Sequence, residues 1–277
     1  MRDEPMIGPV GAPGMHVMTW NIRRRLPRLP RSRDAWARRR GILRQALAAE
    51  SPTVLAVQEA LPDQAQWVLD SLGPGYGMVG RGRDGRGGDE GTPLFLDSRR
   101  VAVEGWFQQA LSDTPDVPGS RGWGNLVPRI VVVADLRDRA TGTSFRVVNM
   151  HLDHLSVRSR VASAQRVREL VVEGARPAVV MGDANADAGS TTHSELTRGG
   201  LLVDSWEVGH RRTPAWTTVP NHRAPRPGRR IDWILVGGGF RVHAVGINAV
   251  RRAGAAASDH EPVQACLRAV GPGLPQH

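Results

Sequence analysis

The chain of 277 residues has one cysteine, no lysine and no long apolar run. A single thiol, Cys266, cannot close an intramolecular disulfide and cannot build a cysteine-based zinc site. A cytoplasmic setting is therefore the expectation. Cys266 lies in the alternating stretch "EPVQACLRAV" and reads as a small core residue of a strand rather than a nucleophile. No apolar run approaches the roughly 20 residues that a membrane helix needs. The first residues, "MRDEPMIGPVGAPG", lack the apolar region of a secretory signal. Their Pro and Gly predict a loose leader over residues 1–14, with Met15 as an alternative start. The Gly-rich stretch "GRGRDGRGGDEG" (residues 80–91) is not a P-loop, because the closing Gly-Lys-Ser/Thr is missing. Gly-x-Ser-x-Gly is absent too, which argues against a serine-hydrolase elbow.

Hydrophobic residues make up 40% of the chain and charged residues 23%, a balance that predicts a soluble globular protein able to bury a sizeable core. The formal net charge of +10 favours phosphate-bearing partners such as nucleic acid or anionic lipid. All 37 cationic side chains are arginine, however, which also fits a compositional bias of the source genome. The charge therefore carries modest weight.

Strand-like and helix-like runs are mixed along the chain. Residues 16–22 and 53–60 read as strands, and 32–50 as a helix with Trp36, Leu43 and Leu47 inward and arginines outward. A second helix is expected over 63–72, and a third over 156–174 with Val157, Val161, Ala164, Val167 and Val171 near one face. Further strands are expected at 92–97, 129–136, 144–154, 177–185, 230–236, 240–248 and 260–269, with loose segments at 111–128 and 211–230. No linker clearly splits the chain. One α/β or α+β domain over 15–270 and a Pro/Gly tail over 271–277 are expected.

Polar groups recur at the ends of these apolar runs. "MTWN" presents Asn21, "LAVQE" presents Glu59, and "VVNMHLDH" presents His151 and Asp153. "VVMGDAN" presents Asp183 and Asn185, "AAASDHEPV" presents Asp259 and His260, and Asp232 interrupts the apolar "RIDWILV". Singly, most of these fit a turn, a cap or a hydrogen-bonded structural histidine. Asp232 is harder to dismiss, since a carboxylate in a buried strand needs a partner. Together they are poorly explained by chance turns. Carboxylates and an amide carbonyl are hard oxygen ligands and suit Mg²⁺ or Mn²⁺ rather than zinc. The chemistry that uses such a set is metal-assisted attack of water on phosphorus.

Eight short motifs carry a resemblance that spans Thr19 to Val263: "TWN", "QE", "DEGTPLF", "PRIVVVADL", "NMHLDH", "GDAN", "RIDWIL" and "SDHEPV". In this order they resemble the endonuclease/exonuclease/phosphatase superfamily, which includes apurinic endonucleases, deoxyribonuclease, deadenylases, sphingomyelinases and inositol-polyphosphate phosphatases. The resemblance implies an α+β fold, a four-layer αββα sandwich of two mainly antiparallel sheets. It implies Glu59 as the principal Mg²⁺ ligand, with Asn21 and Asp259 near it. Asp183 would orient or deprotonate the water, and Asn185 would hold the water or a phosphate oxygen. His260 would stabilise the phosphate with Asp232 fixing its ring, and His151 would be the second phosphate-contacting histidine, paired with Glu90. Arg129 would contact a phosphate oxygen. A charged histidine pair flanked by carboxylates is expected, since a carboxylate raises imidazole basicity. Two positions depart from the pattern. Ala184 replaces the usual Phe or Leu, and Leu96 stands where relatives often carry Tyr, which puts one substrate contact in doubt.

The motifs specify phosphoester hydrolysis and not the leaving group. Nucleic acid is the favoured partner, because the Arg-rich stretches at residues 23–33 and 211–230 flank Asn21 and Asp232. The alternatives are a small-molecule phosphatase or phosphodiesterase and a non-enzymatic binding protein; residues 80–91 resemble a compact bacterial branch of the superfamily whose substrates are largely undefined. The filled site argues against the binding protein. No obligate protein partner is evident.

Overall fold

The computed structural model describes residues 4–27, 32–249, 251–252 and 254–270. The expected tail, the first three residues of the expected leader and part of the Arg-rich stretch at 23–33 lie outside the described residues.

Two sheets face each other. The first contains β1 (Gly14–Asn21), β2 (Val54–Gln58), β3 (Tyr76–Val79), β4 (Leu94–Asp97), β10 (Arg211–Arg212), β12 (Phe240–Ile247) and β13 (Val263–Ala269), in the order β10-β12-β13-β1-β2-β4-β3. The second contains β5 (Val101–Ala110), β6 (Ile130–Asp138), β7 (Ser144–His151), β8 (Ala178–Asp183), β9 (Leu202–Asp204) and β11 (Asp232–Gly237), in the order β5-β6-β7-β8-β11-β9. Pairings are antiparallel except β1–β2, β7–β8 and β10–β12. Helices α1 (Trp36–Glu50) and α2 (Pro62–Leu72) cover the outside of the first sheet, and α3 (Val157–Gly174) and α4 (Thr191–Thr197) cover the second. The short α5 spans Ser205–Val208. This is the expected αββα sandwich. Among the described residues no helix is long and apolar enough to cross a membrane.

Strand parity explains the layering. Successive side chains of a strand point to opposite faces, and both faces here are covered, so the strands read as continuous apolar runs. Met15 and Val17 of β1 join Val54 and Ala56, Val132 and Ala134, Val179 and Met181, and Ile234 between the sheets. The alternate residues Met18, Trp20, Leu55 and Val57 meet Leu43, Leu47 and Val68 of the helices. Val131, Val133, Val148 and Val180 meet Ala164, Val167 and Leu170 of α3. Each fully buried aliphatic side chain contributes roughly 1.5–3 kcal/mol, so both faces of each central strand are held in place.

Towards one end of the sandwich the inward column turns polar. Thr19, Gln58 and Asn149 are fully buried there. The Gln58 amide donates to Asn149 Oδ1 at 2.7 Å and Thr19 Oγ1 at 3.1 Å. Asn149 Nδ2 donates to the carbonyls of Val57 at 2.9 Å and of Thr92 and Pro93 at 3.0 Å, which ties the two sheets across their interface.

Several expectations shift. The first helix begins at Trp36 rather than residue 32, and Arg39 on it is 1% exposed. Its guanidinium donates to the carbonyls of Asp34, Ile22, Ala257 and Arg23 at 2.8–3.1 Å, which makes burial tolerable. The inward face of α3 is Ser159, Ser163, Ala164, Val167, Leu170 and Val171, whereas Val157 is exposed. Residues 211–230 are not uniformly exposed: Thr217, Thr218 and Arg230 are buried, and Thr218 Oγ1 accepts from the amides of Ile231 and Asp232. Strands β3, β5 and β9 and helix α4 were not legible in the sequence. The residues of β5 are largely exposed or half-buried, so its apolar pattern is weak. Cys266 is half-buried on β13.

Gly182 shows how tightly β7 and β8 approach. Its φ is 141°, and a Cβ there would fall 1.9 Å from the Met150 carbonyl oxygen. Gly182→Ala should therefore lower unfolding stability by roughly 3 kcal/mol or more, measured by urea denaturation. A change near zero would show that the strands can separate to admit a methyl group.

Candidate active site

The site lies where the inward columns end. Following parity, β1 runs Met15, Val17, Thr19, Asn21; β7 runs Phe145, Val147, Asn149, His151; and β8 runs Val179, Met181, Asp183. Asp183 is in register with His151 on one side and Asp232 on the other. Asn21 Nδ2 donates to Asp183 Oδ2 and Glu59 Oε1, each at 3.0 Å. His151 Nε2 stands 3.6 Å and His260 Nε2 3.9 Å from the same Asp183 oxygen. His260 Nδ1 lies 2.9 Å from Asp232 Oδ2.

Loops fix the remaining groups. Ser258 Oγ donates to the Asn21 carbonyl at 2.7 Å and accepts the His260 amide at 3.2 Å, and Trp20 Nε1 donates to the His260 carbonyl at 3.1 Å. "TWN" and "SDHEPV" are thereby bolted together. The Asn185 amide donates to Asp183 Oδ1 at 2.8 Å, and its side chain donates to the Leu152 carbonyl at 3.1 Å. Asn185, Glu59 and Arg23 all have positive φ, at 50°, 60° and 56°. Asn tolerates that region; Glu and Arg do so only at a cost of about 1–3 kcal/mol, a strain typical of functional sites. Asp187 accepts the Arg230 amide at 3.0 Å and supports the turn.

Burial and neighbouring charge separate the titrations. Burial and the adjacent Asp232 raise the Asp183 carboxyl to about 7. Burial favours neutral His260, but Asp232 and Asp183 outweigh it and raise the imidazole to about 10. His260 is thus an imidazolium across the neutral range. His151 goes the other way: burial, then the cations Arg129 and Arg83, hold it well below its usual value. The expected charged histidine pair is therefore one imidazolium and one neutral ring, because only His260 has a carboxylate on its Nδ1.

Glu90 also differs from expectation. Its carboxylate binds Arg83 Nη1 at 2.5 Å and Arg24 Nη1 at 3.0 Å, and it makes no hydrogen bond to His151 among the described residues. Glu90 and His151 instead share the wall of a notch with Arg83 and Arg129. Its volume of about 10 Å³ admits one water-sized atom. Arg129 is held by His154 at 2.8 Å and Asp153 at 3.5 Å, and its Nε has no hydrogen-bond partner. Leu96 packs between the sheets at 2% exposure, so it is core rather than a substrate contact. Ala184 packs in the α3-side core.

Two groups of acidic residues could hold a divalent ion. Ligand atoms of Asp183, Asp232 and His260 lie within 4.8 Å of one another, and Asp232 Oδ1 has no hydrogen-bond partner. A protonated imidazole cannot ligate, however, so this trio fits proton chemistry better. The second group is Glu59, Asn21 and Asp259. Arg23 reaches it, with Nε 3.5 Å from Asp259 and 3.3 Å from Asp34, and Nη1 3.9 Å from Glu59. Carboxylates that gather round a guanidinium suit a hard cation. Arg23, Arg83, Asp34 and Thr218 were not singled out in the sequence, since arginines are everywhere in this chain. Asn149, although within a motif, was also missed; its signal was parity with His151.

Comparison with known proteins agrees with the fold. No curated protein matches the chain. An endonuclease/exonuclease/phosphatase family protein from Bacteroides thetaiotaomicron superposes with a TM-score of 0.88 at 27% identity, covering 95% of this chain and 98% of that one. A mannosyl-6-phosphatase from the same organism gives 0.83 at 28% identity, covering 91% and 99%. The catalytic domain of human Nocturnin gives 0.71 at 18% identity, covering 93% and 94%, a likeness of fold. The sequence profile of the Endonuclease/Exonuclease/phosphatase family matches residues 18–260. The chain belongs to that family.

Proposed function

We propose that this protein hydrolyses phosphoesters by attack of water on phosphorus, with Mg²⁺ or Mn²⁺ held by Glu59, Asn21 and Asp259. One observation carries the reading: a single buried carboxylate, Asp183, touches Asn21 at 3.0 Å and lies 3.6 and 3.9 Å from two imidazoles of opposite protonation. A bound divalent ion neutralises phosphate charge. Asp183, raised to about 7, orients the water and takes its proton near neutral pH. Asn185 holds the water or a phosphate oxygen. His260, kept protonated by Asp232, donates to a phosphate oxygen as charge develops. His151 and Arg129 receive a further oxygen at the notch.

For the substrate we propose a small phosphate ester. The arginines nearest the site are spent on carboxylates: Arg23 on Asp34 and Asp259, and Arg24 and Arg83 on Glu90. They do not form a free basic track. A cavity of about 450 Å³ adjoins the notch through Arg83 and Ile130 and is lined by Trp106, Gln108 and Gln109. It is large enough for a sugar-sized leaving group. Similarity to a mannosyl-6-phosphatase over nearly the whole chain supports this reading. Nucleic acid is the second reading. The net charge of +10 favours it, as does the presence of Arg33 and Arg223, one from each Arg-rich stretch, in the wall of one cavity.

The deciding assay offers hexose phosphates, plasmid DNA, single-stranded DNA and RNA with Mg²⁺ or Mn²⁺ and EDTA controls. Phosphate release from sugar esters alone is expected; DNA or RNA cleavage without it would establish the second reading. Asp183→Ala and His260→Ala should each lower the rate at least ~10²-fold, and near-full activity in either would refute its role. Glu59→Ala should raise the metal concentration needed for half-maximal rate, and an unchanged titration would remove it from the ligands. Arg23→Ala should lower the melting temperature of the metal-free protein and enlarge the rise on adding Mn²⁺; identical melting shifts in variant and parent would mean that Arg23 and the ion do not share these carboxylates.

A further inference from the structure

A second cavity, of about 580 Å³, lies beside the 254–256 loop that leads into Ser258 and Asp259. Its lining includes Arg33, Arg38, Arg39, His222 and Arg223, and none of its described lining residues is acidic. Arg39 is buried and fully engaged with backbone carbonyls. Arg33, Arg38 and Arg223 are exposed, and among the described residues they make no ion pair. This contrasts with Arg23, Arg24 and Arg83, whose charges the site carboxylates neutralise. Three uncompensated guanidinium groups round one cavity repel one another, and an anion relieves that repulsion.

The backbone around this cavity is committed to its shape. Asn221 and His222 both adopt positive φ, 57° and 59°, a turn that leads to His222 and Arg223 at the cavity wall. The Nδ1 of His222 is buried without a hydrogen-bond partner. The cavity is also joined to the catalytic loops. Arg39 Nη1 donates to the carbonyls of Ile22 and Ala257, next to Asn21 and Ser258, and the Asn221 amide donates to the Asp259 carbonyl at 3.1 Å.

We infer that this cavity is an anion subsite, formed by Arg33, Arg38, His222 and Arg223, which holds a second phosphate group of a substrate carrying more than one. Guanidinium forks match phosphate oxygens bidentately, and the exposed position admits either a bisphosphorylated small molecule or the next phosphate of a nucleotide chain. That the second phosphate belongs to a substrate rests on the hydrolase reading. Anion binding by the cavity does not.

The test is therefore twofold. Calorimetric titration of the full chain with inorganic pyrophosphate in EDTA should show about tenfold weaker binding in Arg38→Ala/Arg223→Ala than in the parent. The control Arg137→Ala/Arg139→Ala, which removes equal charge near the opposite end of the sandwich, should bind as the parent does. Equal binding by all three proteins, or equal losses in both double variants, would overturn the subsite. With metal present, KM is then compared for p-nitrophenyl phosphate, a hexose bisphosphate and a 5′-phosphorylated dinucleotide. The ratio of KM for a two-phosphate ester to that for p-nitrophenyl phosphate should rise in Arg38→Ala/Arg223→Ala, and the ester that shows the rise identifies the source of the phosphate. Ratios unchanged for both would overturn the substrate role. Absence of hydrolysis by the parent on every ester would sink the hydrolase reading instead and leave the calorimetric result to decide the subsite.

Discussion

Two carboxylates buried side by side cannot both ionise without a cation between them. Asp183 and Asp232 face this constraint on adjacent strands, 1% and 0% exposed. His260 resolves it by staying protonated, one nitrogen on Asp232 and the other towards Asp183. Much of the surrounding structure serves that arrangement. Trp20 and Ser258 hold the loop that carries His260, and Thr218 holds the amide of Asp232. Asn21 binds the Asp183 oxygen that the imidazoles share. The outcome is a carboxyl group raised to about 7 beside an imidazolium that stays protonated in the neutral range, and beyond it a neutral His151.

The sandwich supplies the burial that makes these shifts large. Its interlayer column is apolar through most of its length and polar at one end, where Thr19, Gln58 and Asn149 link the sheets. This link stands directly behind the candidate site, since Asn149 precedes His151 by strand parity and Gln58 adjoins Glu59. The close approach at Gly182 has the same effect for Asp183. Rigid strands therefore place His151, Asp183 and Asp232, while the strained Glu59 and the positive-φ Asn185 sit just beyond the strand ends.

Arginine serves three different purposes that composition cannot separate. Arg39 satisfies backbone carbonyls in the interior. Arg23, Arg24 and Arg83 balance the acids of the site. Arg33, Arg38 and Arg223 remain without acidic partners among the described residues and surround an open cavity. A net charge of +10 is the sum of these cases, so it overstates the basic surface available to a polyanion near the site.

The sequence by itself pointed to the layered architecture and to the polar residues that the structure gathers at the candidate site. Continuous apolar runs specify buried strands, polar residues recurring at the ends of several such runs are poorly explained by chance turns, and the resemblance of the eight motifs implied the four-layer arrangement. The motif order also placed Asn21, Glu59, Asp183, Asp232, Asp259 and His260 in one region. Only the tertiary structure decided what each group carries and touches. His151 and His260 look alike in sequence, yet one meets cations and the other a carboxylate, and protonation depends on that through-space field. Glu90 finds Arg83 and Arg24 instead of His151 for the same reason, since ion pairing is settled by distance across strands rather than by order along the chain. The exposed β5, the inward Arg39 and the placing of Arg33 and Arg223 in the wall of one cavity had no local signature, because each depends on surfaces that other segments bring together.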